Sequence, residues 1–307
     1  MTEYYSKHFN LEQVSEGIYA AIAKDGSGSV GNSGFIDLGN KTIVFDTFNT
    51  QQAAVDLRNI AEKMTNRPVT WVINSHFHGD HIRGNQVFKD CNIVSSQISL
   101  QQMKENHPER IAEQKADIDG LKKYIESLSE QRESFTDLQK KNEINFLKEL
   151  AISLPDLELV LPQFTFTNEF TIFGTKRTAK IMTLGGGHSP CDSFLYIPED
   201  GIVFMADLLF VGMHPSFFPY SNPTQWENIL NEVSNLPIQK AIPGHGTIGT
   251  KGDIERLKNY INEMTVIAKE NSNLEEVSIP EEYKDWTTIN IDPRELVIRN
   301  LKVLRDL

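Results

Sequence analysis

Cysteine is scarce in this sequence, because its 307 residues include only Cys91 and Cys191. Two cysteines cannot build the dense disulfide framework of small secreted domains, so both are interpreted as reduced thiols. Long apolar runs are also lacking, and without a stretch of about 18 apolar residues no transmembrane helix is expected. The opening residues, MTEYYSKHFN, lack a basic region followed by an apolar stretch, which argues against a secretory signal. We therefore predict a cytoplasmic protein that has no membrane partner.

Basic residues are in deficit. The chain has 30 Lys and Arg against 42 Asp and Glu, for a formal net charge of −12. An acidic protein repels a polyanion at long range, so no nucleic-acid partner is expected. Hydrophobic residues make up 39% of the chain and charged residues 23%, as is typical of globular proteins. The length suits one large domain or two medium ones with ample core.

Strand-like and helical segments alternate before residue 74. The apolar segments GIYAAIA and KTIVFDT are bounded by glycines, which predicts strands. Between them, residues 24–34 (KDGSGSVGNSG) contain too much glycine for a strand and predict a hairpin loop. Apolar periodicity predicts a helix over 50–66, and the short apolar run VTWVIN predicts a buried strand. These alternations are typical of an α/β protein.

Residues 97–152 have a different composition, rich in Gln, Glu and Lys. Ile111, Ile118 and Ile125 recur every seven residues, which predicts one helix, and a break is expected at 134–136 before a second helix. We interpret about 97–155 as an inserted helical hairpin. A solvated amphipathic pair that covers the core is favoured, and an active-site lid and a homodimer surface are the alternatives.

After residue 157, strands resume. LELVL, EFTIF, TAKIMTL, SFLYIP and GIVFMA are all predicted strands. A helix is expected near 223–235, then the short strand KAIP, and then a helix from about 252 to 269. The chain ends in a predicted amphipathic helix.

The segment 74–85, NSHFHGDHIRGN, holds three histidines and an aspartate within six positions. It begins where the predicted strand VTWVIN stops, and sites in layered α/β sheets gather at the carboxyl ends of strands. In extended backbone, side chains two residues apart point the same way, so His76 and His78 can reach one ion together. Asp80 continues that side, and the glycine before it permits a turn that brings in His81. The segment therefore predicts half of a metal site.

Three later segments, LGGGHSPCD, FMADLLF and IPGHGT, place His188, Asp207 and His245 after predicted strands. Five of the eight histidines thus fall at strand-end turns, whereas His8 and His107 have no such surroundings and are predicted to be surface residues. The seven ligand-type side chains are too many for one tetrahedral zinc ion. They suit two ions that share a carboxylate.

In this order, HFHGDH, GGGH, MAD and PGHG resemble the pattern of the metallo-β-lactamase superfamily. The resemblance extends along most of the chain outside the insertion. It implies an α/β fold of the four-layer αββα sandwich type, as a single domain over 1–307, with a dinuclear metal site along one edge. By the same resemblance, the first metal would be held by His76, His78 and His188, the second by Asp80, His81 and His245, and both by a bridging Asp207. The best-known antibiotic-degrading members have a cysteine where this chain has Asp207, so the position resembles the lactonase, thioesterase and phosphodiesterase branches instead.

The charge of such a site favours hydrolysis. Two divalent ions, Asp80, Asp207 and a bridging hydroxide leave a net charge of about +1, which lowers the pKa of bound water to roughly 7. The hydroxide would attack a carbonyl or phosphoryl centre, and Asp80 is the predicted catalytic residue that orients it. The ligand types favour two zinc ions per chain, with iron and manganese as alternatives.

The loop LFVGMHPSFFPYSNP, just after Asp207, predicts a pocket wall made of Phe217, Phe218 and Tyr220, with ordinary packing as the alternative. A small-molecule carbonyl substrate is therefore favoured: a lactone, ester, thioester or amide. The alternatives are phosphodiester or phosphonate hydrolysis, redox chemistry at iron, and a non-catalytic metal-binding or assembly protein. Basic residues that would suit a phosphodiester are few, namely Arg83, Lys176 and Arg177.

Overall fold

The structure, a computed structural model, describes residues 5–130 and 138–307. The predicted break at 134–136 lies outside these residues. In the described ranges, no helix has the length and apolar character needed to cross a membrane. Two sheets form the centre of the fold, and helices flank them.

The first sheet contains seven strands in sequence order. Their bounds are β1 Phe9–Ser15, β2 Ile18–Ala23, β3 Ser33–Asp37, β4 Thr42–Phe45, β5 Val69–Ile73, β6 Asn92–Ser96 and β7 Phe164–Phe166. Strands β1 to β4 pair antiparallel, and β4 to β7 pair parallel. Four parallel strands, β4 to β7, therefore direct their carboxyl ends to the same edge of the sheet.

The second sheet contains five strands in the order β12-β11-β10-β9-β8. Their bounds are β8 Glu169–Phe173, β9 Thr178–Met182, β10 Phe194–Ile197, β11 Ile202–Val211 and β12 Lys240–Gly246. All pairs are antiparallel except β11 and β12, which run parallel. In this sheet too, the ends of two parallel strands meet.

Eight α-helices lie in the described ranges. Their bounds are α1 Gln51–Thr65, α2 Gly79–Ile82, α3 Gln97–Ala116, α4 Ile118–Glu130, α5 Leu138–Ser153, α6 Pro223–Ser234, α7 Lys251–Glu270 and α8 Pro293–Asp306. Side-chain caps explain several of the starts. The Thr50 hydroxyl accepts from Ala53 N, and Thr250 and Asp253 form a capping box at the start of α7.

Three buried clusters define four layers. Between the sheets, one cluster includes Ile36 and Leu195. On the outer face of the first sheet, Leu57 of α1 packs with Val72. On the outer face of the second sheet, a further cluster joins Leu230 of α6, Leu257 of α7 and Leu301 of α8. Apolar side chains thus cover both faces of both sheets, and the predicted αββα sandwich is confirmed.

The insertion contains more than the two helices predicted. Its first part divides into α3 and α4 at Asp117, whose φ of −110° and ψ of 27° leave the helical region. The Asp117 carboxylate folds over Gly120, where a Cβ would lie 2.2 Å from Oδ1. The prediction of one helix from Ile111 to Ile125 was therefore wrong, because the seven-residue repeat does not register the local turn at Asp117.

The predicted strand LELVL is also absent from the described fold, where residues 157–161 carry no strand. Their backbone bonds to side chains instead of to a neighbouring strand. Glu158 N donates to Gln86 Oε1, and Val160 O accepts from Asn85 Nδ2. The apolar side chains pack on the insertion, as Leu157 does against Ile111.

Candidate metal centre

A short segment between β5 and α2 carries the first ligand-type residues. Asn74 and Asn85 exchange side-chain hydrogen bonds of 3.0 and 2.8 Å across it, and Asn85 Oδ1 also accepts from Thr47 at 2.9 Å. The segment is therefore closed at both ends by buried amides. Asn85 therefore buttresses the segment that carries His76 and His78.

Two groups of side chains present atoms within 4.8 Å of one another that can hold a metal ion. The first group is His76, His78, His188 and Asp207. The second group is Asp80, His81 and His245. The structure thus brings together all seven residues predicted as ligands.

Asp207 lies between the two groups. Its Oδ2 is 3.1 Å from His188 Nε2 and 3.7 Å from His76 Nε2. Its Oδ1 is 3.1 Å from His81 Nε2 and 3.3 Å from His245 Nε2. Each carboxylate oxygen therefore faces a different group, which is the arrangement that a carboxylate shared by two ions requires.

Asp80 completes the second group. Its Oδ2 lies 3.5 Å from both His81 Nε2 and His245 Nε2. The Asp80 side chain is 20% exposed, whereas those of His81 and Asp207 are almost fully buried. Asp80 is therefore a ligand-type side chain with an edge toward solvent.

Several atoms of the cluster are buried without a hydrogen-bond partner in the described structure, among them His76 Nε2, His81 Nε2 and Asp207 Oδ1. Leaving such atoms unpaired costs free energy, about 1–3 kcal/mol for each neutral group. A divalent ion at each group would satisfy them, and mixed imidazole and carboxylate donors suit zinc, iron or manganese. The residues present therefore fit a pair of divalent ions.

Asp46, just after β4, supports a histidine in each group. Its Oδ2 accepts from Ser75 Oγ at 2.7 Å and lies 2.8 Å from His81 Nδ1. Ser75 has one hydroxyl proton, so it accepts from His76 Nδ1, 2.9 Å away. Both histidines consequently carry a proton on Nδ1 and direct Nε2 toward Asp207. Sequence reasoning missed Asp46, although its place at the end of the predicted strand KTIVFDT matches that of the predicted ligands.

The pKa values divide the histidines into two classes. Burial lowers the pKa of His76 well below its ordinary value and that of His78 to about 3, so both are neutral at pH 7. Burial also opposes charge on His81, but neighbouring carboxylates, Asp207 first, raise its pKa. The same balance raises the pKa of His188. Protons therefore compete with metal at His81 and His188.

Two of the three predicted pocket aromatics lie beside the first group. Tyr220 Oη is 2.8 Å from His78 Nε2, and His78 Nδ1 faces His188. The Phe218 ring lies 5.2 Å from the His78 ring, centroid to centroid. Phe217 instead is buried in the core against Trp226, where it has no surface to offer a substrate.

The glycine-rich hairpin loop reaches the second group. A Cβ on Gly31 would lie 2.8 Å from His81 Nε2 and 3.3 Å from Asp80 Oδ2. Gly244, in β12, passes Asp207 as closely, since a Cβ there would lie 2.0 Å from Oδ1. Both glycines leave room for ligand side chains that any other residue would displace.

Asp207 was predicted to lie after a strand, but it lies within β11. The pairing of β11 with β12 shifts register on either side of Ala206, whose φ is +46°. Irregular pairing of this kind turns a side chain away from the regular alternation of a strand. The sequence carries no signal for it, because "MADLLF" continues the apolar run.

The prediction that His8 and His107 are surface residues was wrong, as both are 2% exposed. His107, in α3, donates from Nε2 to the Phe77 carbonyl at 2.6 Å, between two residues of the first group. His8 Nδ1 accepts from Gly28 N in the glycine-rich loop. Each histidine thus supports a loop of the site rather than a ligand position.

The basic residues considered for a phosphodiester have other partners. Lys176 pairs with Asp37 and Arg177 with Asp200. Arg83 is buried and donates to Gln114 of α3, and burial lowers its pKa to about 10. A phosphate would find little matching charge among these residues.

Known proteins resemble this chain in sequence. The profile of the metallo-beta-lactamase superfamily matches residues 26–245. A metallo-beta-lactamase type 2 from Bacteroides fragilis is 27% identical over 131 residues, which cover 41% of this chain and 53% of that protein. The chain thus spans about half the length of that relative.

Solved structures share the fold at lower identity. The DIM-1 metallo-beta-lactamase superposes with a TM-score of 0.59 at 17% identity, covering 83% of this chain and 98% of that one. A metallo-beta-lactamase from Pontibacter korlensis gives 0.60 at 14% identity, with 83% and 99% covered. The sequence match over most of the chain, the sandwich and the His/Asp cluster agree: this protein belongs to the metallo-beta-lactamase superfamily.

Proposed function

We propose that this protein is a hydrolase that holds two divalent metal ions, with zinc favoured, and cleaves an ester, lactone, thioester or amide. The observation that carries the proposal is the position of Asp207, whose two oxygens face separate histidine groups at 3.1 Å. Bound divalent ions lower the pKa of water and polarise a carbonyl oxygen, which is the chemistry that hydrolysis needs. The same residues would hold them at the positions already described.

The chain's own residues divide the remaining work. Asp46 and Ser75 fix the rings of His81 and His76, so the site need not reorganise when substrate arrives. Asp80 is the partly exposed carboxylate of the cluster, and we assign it the role of orienting the attacking water and accepting its proton. Tyr220 Oη, against His78, lies where it can donate to a substrate oxygen.

A carbonyl substrate is preferred over a phosphodiester because the three basic residues that the sequence offered for a phosphodiester do not face the candidate ligands as free cations. Lys176 and Arg177 are paired elsewhere, and the basic residue beside the motif, Arg83, is buried. Phosphodiesters are normally held by arginine or lysine in addition to metal. Phosphodiester or phosphonate hydrolysis is therefore the second candidate, and a metal-binding protein without activity the third.

The test combines metal counting with a substrate panel. The purified full chain is loaded with zinc, its metal content is measured, and it is assayed on a lactone, a thioester, a β-lactam and a bis-aryl phosphodiester. We expect two ions per chain and turnover of a carbonyl substrate. Asp80→Asn should abolish turnover while the first group keeps its ion, and Asp90→Asn, at an exposed ion pair with Arg58, is the matched control. One ion per chain, or turnover of the phosphodiester alone, would contradict the proposal.

A further inference from the structure

A cavity of about 820 Å³ adjoins the second group, and His245 is one of its lining residues. Its walls include the ends of β11 and β12, the glycine-rich loop, helix α5 of the insertion, and a segment near 286–293. The last of these lies beyond the part of the chain that the superfamily profile matches. The cavity is thus built partly from a segment outside the matched range.

The glycine-rich loop connects the cavity with the metal-ligand cluster. At one end, Gly31 lies against His81. At the other, Gly26 lies against the backbone of α5, where a Cβ would be 2.9 Å from Asn142 Cα. Since Gly26 has a φ of +69°, both its conformation and its contact favour glycine. A ligand between loop and α5 would therefore lie next to the second group.

The lining carries almost no usable charge. Apart from His245, the ionisable residues among the described part of the lining are Lys24 and Asp25. Lys24 Nζ already donates to Ser6 O and lies over the Tyr5 ring, and Asp25 is exposed to solvent. A carboxylate or phosphate on the ligand would thus meet no free cation among the lining residues.

Apolar side chains account for much of the wall. They are Ile22, Val30, Leu138, Phe146, Met213, Trp286 and Ile289. Phe146 and Ile289 are half-buried and come from two different walls, α5 and the C-terminal segment. The volume lies within the range of roughly 300–1,000 Å³ in which pockets enclose ligands much larger than an acetyl group.

We propose that this cavity binds an uncharged, extended apolar acyl or aryl group of the substrate, and that the insertion selects substrates by the length of that group. The inference rests on the proposed function, since it places the scissile carbonyl of that group's ester, lactone or amide next to His245. Each methylene buried in the cavity should raise kcat/KM about threefold to fourfold. The preferred substrate is thus a neutral ester, lactone or amide with a medium or long acyl chain.

The test uses a homologous series of neutral lactones and esters, from acetyl to dodecanoyl, with the zinc-loaded full chain. Phe146→Ala should move the optimum toward longer or bulkier chains, and Ile289→Trp should move it toward shorter ones. Phe173→Ala, an exposed aromatic on β8 outside the cavity lining, is the control and should leave the series unchanged. Metal content must be the same in all four proteins.

A second readout does not depend on activity. Alkyl methyl ketones of increasing length, which cannot be hydrolysed, are titrated against the metal-free protein while the fluorescence of Trp286 is recorded. The change in fluorescence should appear at lower ketone concentration as the alkyl group becomes longer, and it should vanish in Trp286→Phe. If the protein hydrolyses nothing but binds ketones with this dependence, the cavity proposal is supported and the proposed function fails. Turnover with the same chain-length dependence in wild type and in both cavity variants would overturn the cavity proposal alone.

Discussion

Asp46 and His81 share a buried hydrogen bond of 2.8 Å, and neither side chain has measurable exposure. The same Asp46 oxygen accepts from Ser75, which in turn supports His76. One carboxylate outside the ligand set therefore orients one histidine of each group. Burial raises the pKa of Asp46, and the bonds from His81 and Ser75 oppose that rise.

Asp46→Asn should weaken metal binding at both groups by about tenfold to a hundredfold. Both oxygens of Asp46 accept hydrogen bonds, from His81 and Ser75, whereas an amide has only one acceptor oxygen. Affinity is measured by competition with a chromophoric chelator. Asp37→Asn is the control, since this carboxylate pairs with Arg67 and Lys176 outside the ligand set. Unchanged affinity in Asp46→Asn would remove the orienting role assigned to it.

Gly31→Ala should impair the second group selectively. The added methyl would lie 2.8 Å from His81 Nε2, closer than real Cβ atoms approach, so the ring or the loop must move. We expect one of two zinc ions to be lost or weakened by at least about tenfold. Gly252→Ala is the control, because its nearest contact is an ordinary 3.5 Å to Thr250. Equal loss of both ions would point to general misfolding instead.

His107→Ala should destabilise the protein by about 1–3 kcal/mol, because the buried Phe77 carbonyl loses its donor. Since Phe77 lies between His76 and His78, the first group should also bind metal more weakly. His107→Gln retains a donor and should recover part of both losses. Urea unfolding and chelator competition measure the two effects, and a weakening confined to the second group would contradict the assignment.

We expect the stability of the metal-free protein to depend on pH through His214. Burial lowers its pKa from 6.5 to about 4, so the folded protein keeps it neutral while the unfolded chain takes up a proton below pH 6.5. The free energy of unfolding is therefore unaffected by His214 above about pH 6.5. It decreases by up to roughly 3 kcal/mol as the pH falls toward 4. The metal-free protein is unfolded in urea at a series of pH values. His214→Gln should flatten the slope over this window; an unchanged slope would contradict the assignment.

The seven candidate ligands could be found in the sequence because histidines and aspartates rarely cluster at strand ends by chance, and the structure brings them together. The segment holding His76 and His81 is recognisable from its local sequence. The alternation of strands and helices predicts an α/β protein, and the four-layer sandwich was implied by the resemblance of the motifs to the metallo-β-lactamase superfamily. What failed depended on contacts distant in sequence. Asp46 is a lone acid whose role appears only when Ser75 is beside it, and the buried position of His107 exists only because α3 packs over Phe77.

The errors in secondary structure have a similar cause. The turn at Asp117 is fixed by its side chain folding over Gly120, which a seven-residue apolar repeat cannot reveal. Residues 157–161 have the composition of a strand. Their backbone nevertheless forms hydrogen bonds with the side chains of Asn85 and Gln86, which follow α2. Propensity reports the preference of a segment alone, and tertiary contacts decided both cases.

Gly244 carries a consequence for how this chain can change over time. A single methyl at that position would occupy the space of Asp207 Oδ1 and so disturb both histidine groups at once. A substitution at Gly244 would therefore require Asp207 to move or to change as well. Phe146 and Ile289 lie in the cavity lining and outside both histidine groups. Substitutions at Phe146 and Ile289 can therefore reshape the proposed substrate cavity while Gly244 and Asp207 stay unchanged.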